Sequence, residues 1–204
     1  MRLLLCLMPF ILVLVGCASP KPTFYSLNAT PIPQATPAAK STRIMVGPVT
    51  LPAIYDRPQL VMKNANNTVQ AYEYHRWAGS LKGDIADVVS SNIAITLKIS
   101  NVWSFSQSMQ SNFDYQVFLD VQNIESKAGE DVVVDVLWSI KPSTNIKTSA
   151  KPSANVTAAT TTTNVIMGRS LVREPITESG LNALVAAQSR AFSKVGQEIA
   201  RSIP

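Results

Sequence analysis

The chain has 204 residues, with 46% hydrophobic and 15% charged residues, a formal net charge of +5, two cysteines and one histidine. The lone His75 rules out a histidine-based zinc site, and no Gly-x-Ser-x-Gly elbow is present to give it a serine partner. The positive excess is mild and scattered, without a run of like charges, which argues against nucleic acid as a partner and against a polybasic membrane patch.

The N-terminus carries the strongest local signal. Arg2 forms a short basic start, Leu3 to Val15 is apolar and interrupted by Pro9, and the run closes on Leu14-Val15-Gly16-Cys17. That run is short of the about 20 apolar residues that a spanning helix needs. It has the pattern of a lipobox. A small residue lets a peptidase approach the bond before Cys17, and the thiol carries diacylglycerol through a thioether. We expect residues 1–16 to be a lipoprotein signal peptide. Cys17 then becomes the N-terminus, bearing diacylglycerol and an N-acyl chain, and no other cofactor is implied. Cys6 leaves with the signal, so no free thiol remains for a disulfide, a thiolate metal site or a cysteine nucleophile. Ala18, where an aspartate would favour inner-membrane retention, points to the periplasmic side of the outer membrane.

Residues 17–41 hold Pro20, Pro22, Pro31, Pro33 and Pro37 and read as a tether that sets the body off from the membrane, with Thr23 to Leu27 able to dock as an edge strand. One domain is expected over 42–204. Arg43 to Val49 reads as a strand. Gln59 to Lys63 and Thr68 to Tyr74 flank the Asn64-Ala65-Asn66-Asn67 turn as a hairpin. Ser80 is the expected N-cap of a helix to about Lys98, with Leu81, Ile85, Val88, Val89, Asn92 and Ile95 on one face and Lys82, Asp87, Ser90 and Ser91 elsewhere.

The apolar-polar alternation from Phe113 to Gln122 and the valine-rich run Val132 to Ile140, joined through Gly129-Glu130-Asp131, predict neighbouring antiparallel strands. Lys141 to Asn164, rich in Ser, Thr and Ala, reads as an exposed hairpin loop. Val165 to Arg173 returns as a strand. A last helix is expected from Thr177 or Ser179, with Leu181, Leu184, Val185, Ala191, Phe192, Val195 and Ile199 inside and Asn182, Ser189, Arg190, Lys194, Gln197 and Arg201 in water. The class is α+β: a largely antiparallel sheet of about five to seven strands with two amphipathic helices on one face or both.

Two stretches carry a family likeness: Val46-Gly47-Pro48-Val49-Thr50-Leu51-Pro52 followed by Asp56-Arg57-Pro58-Gln59-Leu60-Val61, and His75-Arg76-Trp77-Ala78 followed by Leu81. With the lipobox and the strand-plus-helix ending, the chain resembles the ABC-type transport auxiliary lipoproteins from about Phe24 to Ile203. It departs from them at Gly79 and Ser80, where an acid and a proline are usual, and in the long 141–164 segment. The resemblance implies an outer-membrane lipoprotein without catalysis. It implies work with an inner-membrane permease and a periplasmic mammalian-cell-entry-type protein, moving phospholipid between membranes and supporting membrane integrity, and it allows a homo-oligomeric ring. An adaptor for a cell-wall synthase or an outer-membrane assembly complex is the alternative.

Read on their own chemistry, Asp56, Arg57, Pro58, Gln59, Arg76 and Trp77 form a partner-binding or structural motif. Arg57 can pair with Asp56, with another acid, or with a lipid or partner acid. Trp77 suits a core plug and Arg76 a local bridge. Tyr25, Tyr55, Tyr72 and Tyr74, if exposed, supply an aromatic patch. Asp84 and Asp87 are explained by a polar helix face.

Overall fold

The computed structural model describes residues 20–31, 42–63, 66–105, 112–127, 129–143 and 164–204. Cys17 and most of the 141–164 segment lie outside these residues. The elements run β1 (Thr23–Tyr25), β2 (Ile44–Thr50), β3 (Gln59–Lys63), β4 (Val69–Trp77), α1 (Leu81–Leu97), β5 (Val102–Ser104), β6 (Tyr115–Ser126), β7 (Asp131–Pro142), β8 (Ile166–Pro175) and α2 (Leu181–Ser202).

The class is α+β, as expected, but the eight strands of the described residues divide into two mixed sheets. The larger has the order β5-β2-β6-β7-β8 and the smaller β1-β4-β3. β6, β7 and β8 form the antiparallel meander that their alternation predicts. β2 runs parallel to both of its neighbours, and β1 runs parallel to β4. Parallel partners must be reached through a crossover, here β3, β4 and α1 between β2 and β5, and local patterning does not encode that step.

One face of the large sheet, with Val46, Leu119, Val134 and Val136, packs beneath the helices. α1 lies on β2 and β5, α2 lies on β7 and β8, and the helices pack on each other. α1 is therefore enclosed on more than one side, and Ser90 and Ser91 are buried rather than solvated. Their hydroxyls are satisfied within the helix: Ser90 donates to the Asp87 carbonyl and Ser91 to the Val88 carbonyl, both at 3.0 Å. The Asn92 amide donates to the Val88 carbonyl at 2.8 Å. The helices meet closely at Gly196, where a Cβ would stand 2.9 Å from both Asn92 Cβ and the Val89 carbonyl oxygen.

α2 begins at Leu181, later than expected, after Gly180 at φ +96°, a backbone conformation that favours glycine. Of the residues expected in water, Ser189 is buried and donates to the Val185 carbonyl at 3.0 Å. The helix is tied to β8 through Glu174, which is 4% exposed and paired with Arg190 and Lys194.

The asymmetry of burial makes a prediction. Removing both half-exposed cations leaves the buried carboxylate unpaired, whereas Glu174→Ala leaves cations that water can reach. The double change Arg190→Ala with Lys194→Ala is expected to cost about 3 kcal/mol by urea denaturation, more than Glu174→Ala. Equal costs would contradict this.

Asp114 fastens the start of β2 to β6. Its carboxylate accepts from the Arg43 amide and from Arg43 Nη2, each at 2.8 Å. The Arg43 guanidinium holds that carboxyl below its usual range. Its stabilising share is therefore complete above the ordinary carboxylate range, near pH 4, and is lost as pH falls through the depressed folded value. Asp114→Asn should lower the urea midpoint at pH 7, and the gap from the parent should close on acidification. A gap independent of pH would count against this assignment.

Candidate functional site

The second part of the first motif stretch meets the other motif stretch at one corner of the small sheet. After Pro52 the chain coils through successive turns, with the Tyr55 amide donating to the Pro52 carbonyl and the Arg57 amide to the Tyr55 carbonyl, both at 2.9 Å. Tyr55 is 3% exposed, not part of a surface patch, and its hydroxyl donates to the Ile124 carbonyl at 2.7 Å. Burial pushes its phenol above the usual range. The ring thus pins this loop to β6.

Pro58 then presents its carbonyl to the Trp77 amide at 2.8 Å, and Gln59 stands opposite Arg76 in the β3–β4 register. Trp77 is buried at 6% exposure. Asp56 pairs with Lys82 of α1 at 2.6 Å, so the lock at this corner is Asp–Lys and not the Asp56–Arg57 pairing weighed from sequence. Arg57 is exposed and pairs with no acid among the described residues. Arg76 Nε donates to the Glu73 carbonyl at 2.9 Å, a local bridge.

The segment from Thr23 to Asn28 docks on this corner. The Ala78 amide donates to the Tyr25 carbonyl at 2.7 Å. Tyr25 Oη lies 2.9 Å from His75 Nδ1, and the His75 ring sits edge-on to Tyr72 with centroids 5.8 Å apart. Leu27 is buried, its amide donates to Asp84 Oδ2 at 3.0 Å, and the next amide, of Asn28, donates to Ser189 Oγ at 3.1 Å. Asp84 is therefore a clasp for the incoming chain, and burial pushes its carboxyl up. The sequence gives no sign of this, because the carboxylate's partner is a backbone amide 57 residues away. Within the stretch read as a tether, Thr23–Tyr25 forms β1, the edge strand that the sequence allowed.

Beside the corner, an apolar groove of about 260 Å³ lies between the Val46 to Val49 stretch and the start of α1, with Phe105 at its rim. Gly47, at φ +117°, lies so near Phe105 that a Cβ would come within 2.9 Å of Phe105 Cβ. Phe105 is 56% exposed, and sequence patterning did not single it out. The large sheet turns Leu137, Met167 and Leu171 outward, with the ion pairs Asp135–Arg169 and Asp131–Arg173 on the same strands. No group of three or more histidine, cysteine or carboxylate side chains among the described residues could hold a metal. No described helix is long and apolar enough to cross a membrane.

The comparisons with known proteins agree with this architecture. The family model for the ABC-type transport auxiliary lipoprotein component matches residues 25–200. A solved structure of an uncharacterized protein superposes with a TM-score of 0.67 at 14% identity, covering 91% of this chain and 100% of the other. Protein XCC0632 from Xanthomonas campestris gives 0.61 at 18% identity, covering 87% and 92%. At these identities the two structures speak for the fold alone. No curated protein matches the chain.

Proposed function

Because the chain belongs to the ABC-type transport auxiliary lipoprotein family, we propose that it is an outer-membrane-anchored subunit of an envelope-spanning lipid transporter. In this reading Cys17 carries the acyl chains and the body faces the periplasm. There it meets a mammalian-cell-entry-type protein that is served by an inner-membrane permease. The subunit supports phospholipid movement and membrane integrity by docking, without a reaction of its own, as its resemblance to paraquat-inducible protein C in the motifs between Val46 and Leu81 implies.

The observation that carries the reading is the conjunction of the Leu14-Val15-Gly16-Cys17 signal with a body that the family model covers almost from end to end. The corner motif then has a structural part: Trp77 and Tyr55 are buried supports, and Arg57 is a cation left for a partner's acid or a lipid phosphate.

The test is affinity capture of the tagged, lipidated chain from detergent-solubilised envelopes. Permease and mammalian-cell-entry subunits are expected among the captured proteins. Recovery of cell-wall synthase or outer-membrane assembly components in their place would move the assignment to an adaptor role. Arg57→Glu should weaken capture of the transporter subunits while leaving the thermal midpoint of the body unchanged, because Arg57 is exposed and makes no pair within the described fold. Undiminished capture would remove Arg57 from the interface.

A further inference from the structure

We propose that the exposed part of the small sheet around Phe24 and Tyr74, where the chain from Cys17 arrives, rests on the lipid bilayer; the inference builds on lipid attachment at Cys17. Three observations lead to it.

The first is reach. The docked chain begins at Thr23, and six residue steps from Cys17 span at most about 20 Å even when fully extended. A body held on so short a leash must turn one of its surfaces to the bilayer.

The second is direction. β1 runs parallel to β4 with Thr23 opposite His75 and Tyr25 opposite Trp77, so the leash arrives from the Tyr74 side of β4. The region of the body beside Tyr74 is the one nearest the anchor.

The third is chemistry. Phe24 lies opposite Arg76, and register partners in a sheet share a face. Tyr74 is exposed on β4 beside the register shift between Gln59 and Leu60, while Trp77 is buried. Phe24 is 60% exposed and Tyr74 47%. Arg76 is the register partner of Phe24 and pairs with Glu73, and Lys21 precedes β1 by two residues. Aromatic rings flanked by long cations suit the boundary between acyl chains and headgroups, where the ring is buried and the cation snorkels to phosphate.

The leash and the face act together. The acyl chains hold the chain in the membrane, and the Phe24–Tyr74 face fixes how the body is oriented on it. The residues after β1 lie on the helices through the Leu27–Asp84 and Asn28–Ser189 bonds. Leu171 projects from the face of the large sheet turned away from those helices, since its neighbours Val172 and Ser170 are buried beneath them. Leu171, exposed on the other sheet and outside the proposed contact, serves as the comparison position.

The test uses the full lipidated chain, in which the lipid-blocked Cys17 leaves an introduced cysteine as the sole free thiol. Phe24→Cys, Tyr74→Cys and Leu171→Cys are each labelled with an environment-sensitive fluorophore and reconstituted into vesicles of phosphatidylethanolamine and phosphatidylglycerol. With nitroxide-bearing lipids, quenching at positions 24 and 74 is expected to exceed that at 171 by roughly threefold, as for groups set 5–10 Å into the interface. Equal quenching at the three positions, in protein that floats with the vesicles, overturns the docking face and leaves the anchor intact. Protein that does not float overturns the anchoring reading, and the docking face with it.

Discussion

Replacing Phe192 with alanine should lower the stability of the body by about 4 kcal/mol. Phe192 is the largest of the fully buried side chains, 1% exposed, on the face of α2 that packs against α1 and the large sheet. The loss combines the transfer free energy of the ring with the cavity left behind, and the surroundings are poorly placed to close it. The helices already touch at Gly196, and α1 is held on its other side by β2 and β5. Domains of this size have a total stability of about 5–15 kcal/mol, so the variant should be close to unfolding near 37 °C. Urea denaturation of the isolated body gives the value. Met167→Ala, at a side chain 74% exposed, serves as the comparison and should change stability by less than about 0.5 kcal/mol. A cost below about 1 kcal/mol for Phe192→Ala would show that the α1–α2 layer repacks freely, contrary to the close contacts described above.

Cys17→Ser is expected to abolish acyl labelling and to remove the protein from the outer-membrane fraction. The reasoning is one of partition. A single acyl chain holds a protein to a bilayer only marginally, and two or three hold it firmly at about 0.8 kcal/mol per buried methylene. Serine offers no thioether, so every chain is lost at once. The outer-membrane share should fall by roughly tenfold or more, the protein being recovered as a longer precursor or in the soluble periplasm. The surface residues Phe24 and Tyr74 alone should not retain it, because two exposed aromatic rings bury far less apolar area than the acyl chains. An unchanged outer-membrane share would mean that contacts of the body hold the protein there.

The meander β6-β7-β8 and the amphipathic α2 were legible in the sequence because their burial is periodic. Alternate residues from Val117 to Val121 and from Val132 to Val136 face the helices, and the α2 stripe from Leu184 to Ile199 repeats at helical spacing. α1 was legible as a helix, but its surroundings were not. Ser90 and Ser91 look solvated until both hydroxyls are seen bonded to the helix's own carbonyls. The division into two sheets and the parallel pairings of β2 and β1 were also hidden, since they depend on where a crossover lands.

At the corner, the motif residues could be picked out, but their pairings could not. Asp56 finds Lys82 26 residues away rather than its neighbour Arg57, and Tyr55 finds a carbonyl on β6. The docking of Thr23 to Asn28 onto β4, α1 and α2 was suggested only as an edge strand. Its main bonds are made by backbone amides, which every sequence has.

The central claim is that this sheet-and-helix body belongs to the membrane through one modified residue. Mass spectrometry of the N-terminal peptide from the native protein tests it most directly. The peptide should start at Cys17 and carry the mass of a diacylglyceryl group and an amide-linked acyl chain. A native protein with an unmodified Cys17 sulfur, or one that still begins at Met1, would contradict the account.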